Sequence, residues 1–161
     1  MSTKFTGNAW VFGDDIDTDT ILPSQYMRLQ PEEYAKHALE PLDPDFTEKI
    51  SDGDILVARK NFGIGSSREQ AVVALQRSGI DVVIAESFAR VFYRNAINAG
   101  LPAIRCPLDD IDRITEGDKI SVDLIEGVVQ NQTSNEVYEF EPFEEPIKSI
   151  IESGGATEYY G

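Results

Sequence analysis

Ser66, Ser67 and Arg68 follow two glycines, Gly63 and Gly65, in the stretch NFGIGSSREQ. A serine hydroxyl works as a proton acceptor only where the resulting charge is stabilised. A glycine-containing loop that opens a helix can do this by turning backbone N–H groups toward an anion. Arg68 adds a forked cationic donor. It falls in the first turn of the expected helix, where the dipole disfavours positive charge, so a bound carboxylate or phosphate explains it better than the helix does. A purely local role competes. Ser66 with Glu69, and Ser67 with Gln70, both fit a capping box in which the serine satisfies an orphan backbone donor. The stretch is not a P-loop, because it lacks G-x-x-x-x-G-K-[ST]. Arg68 also stands where the last glycine of a dinucleotide fingerprint would be.

The neighbouring segments must hold that loop in place. Residues 54–61 read as a buried strand, and a helix is expected over residues 67–78 with Gly79 as its stop. Residues 81–85 form a continuous apolar strand. Residues 87–99 form a second helix, with Phe88, Val91, Phe92, Asn95 and Ala96 at helical spacing and Gly100 at its end. Residues 101–106 make a further strand. This alternation implies parallel pairing with right-handed crossovers. It puts the loop at the carboxyl end of a strand, where α/β sheets bind ligands.

Upstream, residues 8–12 read as a short strand leading into the acidic GDDIDTDTILP. Pro31, Glu32 and Glu33 make a helix start, and PLDPDF is loop or turn. The last third changes style. DKISVDLIEG, VVQNQ and NEVYEFEPF alternate as antiparallel strands do, EPIKSIIESGG reads as a closing helix ending at Gly154, and ATEYYG is either a loose tail or one docked on a partner. The expectation is one α/β domain over residues 1–161, with a mixed parallel and antiparallel sheet.

A chain of 161 residues suits one domain that buries roughly 70% of its unfolded surface without staples. No apolar run reaches the ~20 residues of a membrane span, and no signal-like apolar core follows the N-terminus. The one cysteine, Cys106, leaves no internal disulfide, which predicts a soluble, cytoplasmic protein. A formal net charge of -15 excludes nucleic acid, whose phosphates require a basic face. Any anion must therefore be held by a local positive pocket in a negative protein. The excess of acid also serves solubility or salt tolerance.

NFGIGSSREQA resembles the motif of the aconitase swivelling domain, ESFARVFYRNAINAGLP resembles the segment that follows it, and GDDIDTDTILP is similar to the family's opening. With the chain length, these resemble the free-standing small subunits of 3-isopropylmalate dehydratases and their homoaconitase relatives, over roughly residues 5–107. The resemblance implies a swivelling β/β/α domain of the aconitase C-terminal type. It also implies a reaction in which a 2-hydroxy acid is dehydrated and the alkene rehydrated with the hydroxyl moved by one carbon. A [4Fe-4S] cluster serves as Lewis acid in that family and is held by three cysteines of the large subunit. This chain, with one cysteine, would bind no cofactor or metal, and Cys106 reads as core. The large iron–sulfur subunit and a small di- or tricarboxylate are the implied partners, with no nucleic acid and no membrane.

By the same resemblance Ser66 is the general base, Ser67 binds the substrate carboxylate, Arg68 clamps it, and Gly63 and Gly65 expose the anion-binding backbone. YMRL, residues 26–29, occupies the family's substrate-recognition loop. Relatives acting on 3-isopropylmalate carry small or apolar residues there, and relatives acting on homoaconitate carry arginine. Arg28, with Tyr26, would therefore meet the substrate tail, which leaves isopropylmalate, homoaconitate and a methyl-branched malate open. The competing role for Arg28 is a solvated cation or a pair with Glu32.

Other candidates carry less. Asp15, Asp17 and Asp19 alternate like the start of a calcium loop, but Thr20 stands where glycine is needed and Tyr26 where glutamate is. The better expectation is that Asp17, Thr18 and Asp19 cap a turn and shape the site's edge or the subunit contact. His37, the only histidine, reads as structural or solvated. Arg59, Lys60, Arg90 and Arg94 could add positive potential near the loop, or Arg90 and Arg94 could pair with surface acids. Two further functions stay open: a stand-alone anion-binding module without chemistry, and a purely structural interaction domain.

Overall fold

Two largely apolar runs, DILV and IDVVIA, are buried along both faces and set the interior of the parallel half of the sheet, because only a strand covered on both sides keeps such composition. The computed structural model describes residues 3–160. The strands are β1 (Lys4–Val11), β2 (Asp54–Val57), β3 (Ile80–Ala85), β4 (Ala103–Arg105), β5 (Lys119–Asp123), β6 (Val128–Asn131) and β7 (Glu136–Glu139). The helices are α1 (Thr18–Ile21), α2 (Pro31–Tyr34), α3 (Phe46–Lys49), α4 (Glu69–Ser78), α5 (Arg90–Asn98), α6 (Leu108–Ile111), α7 (Ile147–Ser153) and α8 (Ala156–Tyr160), with single 3-10 turns at Ser24–Tyr26 and Ala35–His37.

The strands join in one seven-stranded sheet ordered β4-β3-β2-β1-β5-β6-β7. From β1 to β4 the pairing is parallel, with α4 and α5 as crossovers. From β1 through β5 and β6 to β7 it is an antiparallel meander. The hinge between the two styles is β1. Its residues 4–8 pair with β5 and its residues 9–11 pair with β2. The strand expected at 8–12 therefore starts four residues earlier, because its first half has a partner more than a hundred residues away. One apolar cluster runs from Ala9 through the meander to Ile150 and Ile151 of α7, and a second joins Leu56, Val83, α4 and α5.

Other boundaries moved for local reasons. The strand expected to reach residue 61 stops at Val57, and the chain then turns through Asn61 at φ 59°. Residues 87–89 lie outside α5, because Phe62 and Phe88 bridge there instead. Pro31 does open a helix, but α2 is a single turn. Gly79 and Gly154 end their helices as expected. The tail forms α8 and packs Ala156 on the core, while Gly161 lies outside the described residues.

Candidate active site on the glycine-serine loop

The loop from Asn61 to Arg68 is pinned alternately from two sides. Toward α5, Phe62 N donates to Ser87 O (3.0 Å) and Ala89 N donates to Phe62 O (3.0 Å). Toward the acidic segment, Gly63 N donates to Ile16 O (2.7 Å) and Thr18 N donates to Ile64 O (2.8 Å). The buried Thr18 hydroxyl then donates to Ser66 O (2.9 Å). Beneath the loop, Phe62 meets Phe88 and Phe92 edge-on, at 6.2 and 5.1 Å between ring centres. A Cβ on Gly63 would lie 2.3 Å from Phe92 Cγ, so only glycine lets the backbone settle on that ring. Gly65 sits at φ 105° on the exposed crest.

That pinning keeps residues 66–68 out of the helix. α4 starts at Glu69 and its N-cap is Arg68, in extended conformation and without a side-chain cap. The capping-box expectation for Ser66 and Ser67 is therefore corrected. Both serines are exposed, and neither hydroxyl makes a hydrogen bond among the described residues. The first N–H groups of α4 lack the side-chain acceptor that a cap would supply.

Arg68 is mostly buried, with 17% of its side chain exposed, and it has a protein carboxylate beside it: Nη1 donates to Asp19 Oδ1 and to Leu22 O, both at 3.1 Å. An N–H bond from Ser24, then Arg68, hold the Asp19 carboxyl below the usual carboxylate range. The three aspartates thus divide the work. Asp15 accepts from Asn61 Nδ2 (2.8 Å), Asp17 caps α1 through Thr20 N (2.7 Å), and Asp19 ties the loop to the Ser24 turn. Among the described residues no group of His, Cys, Asp and Glu is placed to hold a metal.

The segment after Ser24 carries Tyr26 and Arg28. Tyr26 stacks on His37, ring centres 3.7 Å apart and planes within 3°, and its hydroxyl donates to Glu40 Oε1 (2.7 Å). His37 Nδ1 bonds the other Glu40 oxygen. The bond from Tyr26, and then that from His37, hold the Glu40 carboxyl below its ordinary range. His37 is thus structural, as expected. Arg28 is exposed and has no ion-pair partner among the described residues. Glu32, its expected rival, pairs instead with Arg77.

The other predicted cations separate. Arg59 is matched by Asp14 and Asp112, so its charge is not free for the loop. Arg90 and Arg94 form no ion pair among the described residues and line a different cleft. Cys106 is buried, and burial pushes its thiol up to about 12. Sequence reasoning missed Thr18 as the support of Ser66 and Asp19 as the partner of Arg68. Both contacts span nearly fifty residues, and only the alternating aspartates and threonines of DIDTDT hinted at them.

The aconitase C-terminal domain model matches residues 18–108, which contain both the Ser66 loop and the Arg28 segment. The 3-isopropylmalate dehydratase small subunit of Heliobacterium modesticaldum is 49% identical over 97% of this chain and 94% of its own length. The small subunit 1 of Methanopyrus kandleri is 53% identical over 98% and 93%. The solved 3-isopropylmalate dehydratase of Methanocaldococcus jannaschii superposes with a TM-score of 0.92 at 42% identity, covering 98% of this chain and 93% of that one. Agreement at this level, in sequence and backbone together, means that the chain belongs to the aconitase C-terminal domain family and, within it, to the 3-isopropylmalate dehydratase small subunits.

Proposed function

We propose that this chain is the small subunit of an aconitase-type hydro-lyase that interconverts 3-isopropylmalate and 2-isopropylmalate by dehydration and rehydration, a step of leucine biosynthesis in the cytoplasm. It acts only with a large subunit. The observation that carries the reading is the exposed, unbonded Ser66 hydroxyl on a loop pinned from both sides. In this reading Ser66 Oγ takes the proton from the carbon next to the substrate carboxylate. Serine is a weak base, so the charge on that oxygen must be stabilised. The uncapped start of α4 and the Arg68 cation lie in the residues that follow it and supply that stabilisation. Ser67 donates to the carboxylate. Arg68 keeps donors beyond the Nη1 contacts to Asp19 and Leu22, since a guanidinium has five. Gly63 and Gly65 give the backbone the shape that turns these donors outward.

The iron–sulfur cluster of this reading belongs to the large subunit. The cysteine of this chain is buried and its thiol is pushed up to about 12, so a thiolate-bound cluster does not fit here. Ser66→Ala, mixed with the large subunit, lowers turnover by about 100- to 10,000-fold, the usual worth of a general base, and leaves association intact. Near-normal turnover would end the reading. Hydratase activity absent from the wild-type mixture, together with tight anion binding by the chain alone, would favour a non-catalytic anion-binding module.

One observation favours a second substrate class. Arg28 is exposed and unpaired among the described residues, as a residue waiting for an anionic tail would be, and Tyr26 lines the same loop with its hydroxyl engaged by Glu40. That is the pattern for homoaconitate, whose tail carries a further carboxylate, and not for a methyl-branched tail such as that of 2,3-dimethylmalate. If Arg28 reads the tail, Arg28→Val depresses turnover of homoaconitate selectively and spares 3-isopropylmalate. Equal losses on the two compounds count against substrate contact.

A further inference from the structure

Arg90, Arg94 and Arg105 line one cleft of about 340 Å³ whose apolar lining includes Tyr93, Ile97 and Ile147. No carboxylate lines it, although the chain has 29 acidic residues against 14 basic ones. None of the three arginines forms an ion pair among the described residues. Arg105 instead lies over the Tyr93 ring, 5.0 Å from its centre. Arg105, Tyr93 and Ile147 also line an adjoining cavity, where Glu141 and Glu144 stand, whereas Arg90 and Arg94 line only this one. All three arginines are exposed, and two of them stand where their own helix gives them no support. Arg90 opens α5, where no side chain caps the helix and the dipole opposes a cation. Arg94 stands four residues on, so like charges face each other across one turn.

The cleft also has a telling position. In the parallel half of the sheet, the Ser66 loop follows β2, Arg90 follows β3 and Arg105 ends β4, so all three lie along the carboxyl edge. The same helix that carries Arg90 and Arg94 seats Phe92 under Gly63. A protein that completes the Ser66 site must approach this edge. We propose that the cleft receives an acidic segment of the large subunit, carboxylates forked by the arginines and an apolar side chain on the isoleucine floor. This rests on the reading that the chain works with a large subunit. Charge gives the chemistry of that occupant, since guanidinium forks match carboxylates, and position gives its source, since the cleft lies on the edge that the large subunit must approach to complete the Ser66 site.

The test is a titration of the full chain with its cognate large subunit by calorimetry, for wild type, for Arg90→Glu/Arg94→Glu and for Arg113→Glu. Arg113 pairs with Glu136 of β7, at the opposite edge of the sheet, so its reversal is a control for charge in general. The double variant raises the dissociation constant on the order of 100-fold, with the gap narrowing as salt is added, while Arg113→Glu stays near wild type. Thermal melts verify that each variant folds, and Arg105→Ala, which keeps the helix unchanged, gives a second reading of the same cleft. Equal affinity for all variants overturns the proposal. So does an equal loss for Arg113→Glu, or dimers of the chain alone that the double variant dissolves. If the wild-type chain binds no large subunit, the functional reading itself falls and takes this proposal with it.

Discussion

At Gly63 two constraints coincide. Its φ of 85° is left-handed, and a Cβ would press on Phe92 Cγ at 2.3 Å. Placing a non-glycine residue in such backbone costs about 1–2 kcal/mol, and overpacking a filled site adds typically about 1–3 kcal/mol. Gly63→Ala should therefore lose roughly 2–5 kcal/mol, a large share of a typical stability of about 5–15 kcal/mol. Gly65 shares only the first constraint. Its nearest neighbour would be Thr18 Oγ1 at 3.3 Å, so Gly65→Ala should lose about 1–2 kcal/mol. Urea denaturation of both variants checks the difference, and equal losses at the two glycines would show that contact with the Phe92 side chain is not what glycine is there to permit.

At the scale of elements, the strand-helix-strand core was legible because its cues are local. IDVVIA is continuous and apolar, α5 carries Phe92 and Ala96 on one face, and Gly79 and Gly154 stop their helices. What stayed hidden was set by distant chain. β1 could not be sized from its own residues, since half of it is held by β5. The start of α4 was misplaced because the serines that look like caps are held outside the helix by Thr18 and the neighbouring bridges. Arg68 read as a cation lacking a protein partner, because Asp19 is far away in sequence. The loop motif was recognisable, whereas the clamp of Tyr26, His37 and Glu40 beneath the Arg28 segment was not, since stacking between residues eleven apart leaves no periodic trace. The candidate site was thus legible where its residues are contiguous and illegible where a partner is brought in by the sheet.

At the scale of the whole molecule, charge acts in two directions at once. The net charge of -15 makes the compact state repel itself. Among the described residues, ion pairs such as Lys36 with Glu33 and Arg77 with Glu32 are exposed at both ends, and pairs of that kind contribute about 0–1 kcal/mol each. Salt screens both terms, and the repulsion is the larger because it sums over a surplus of fifteen charges rather than over local pairs. The melting temperature of the free chain should therefore rise as sodium chloride is added, until the screening length falls to roughly 8–10 Å near physiological ionic strength. The arginine cleft has the opposite sign. Association through it is an attraction between unlike charges, so the same titration should weaken binding of the large subunit. One salt series read by two instruments, thermal unfolding of the free chain and affinity for the partner, should show the two quantities moving apart. A melting temperature that falls with salt would mean that the exposed pairs outweigh the acidic surplus. An affinity indifferent to salt would mean that the partner is held by apolar contact and not by the three arginines.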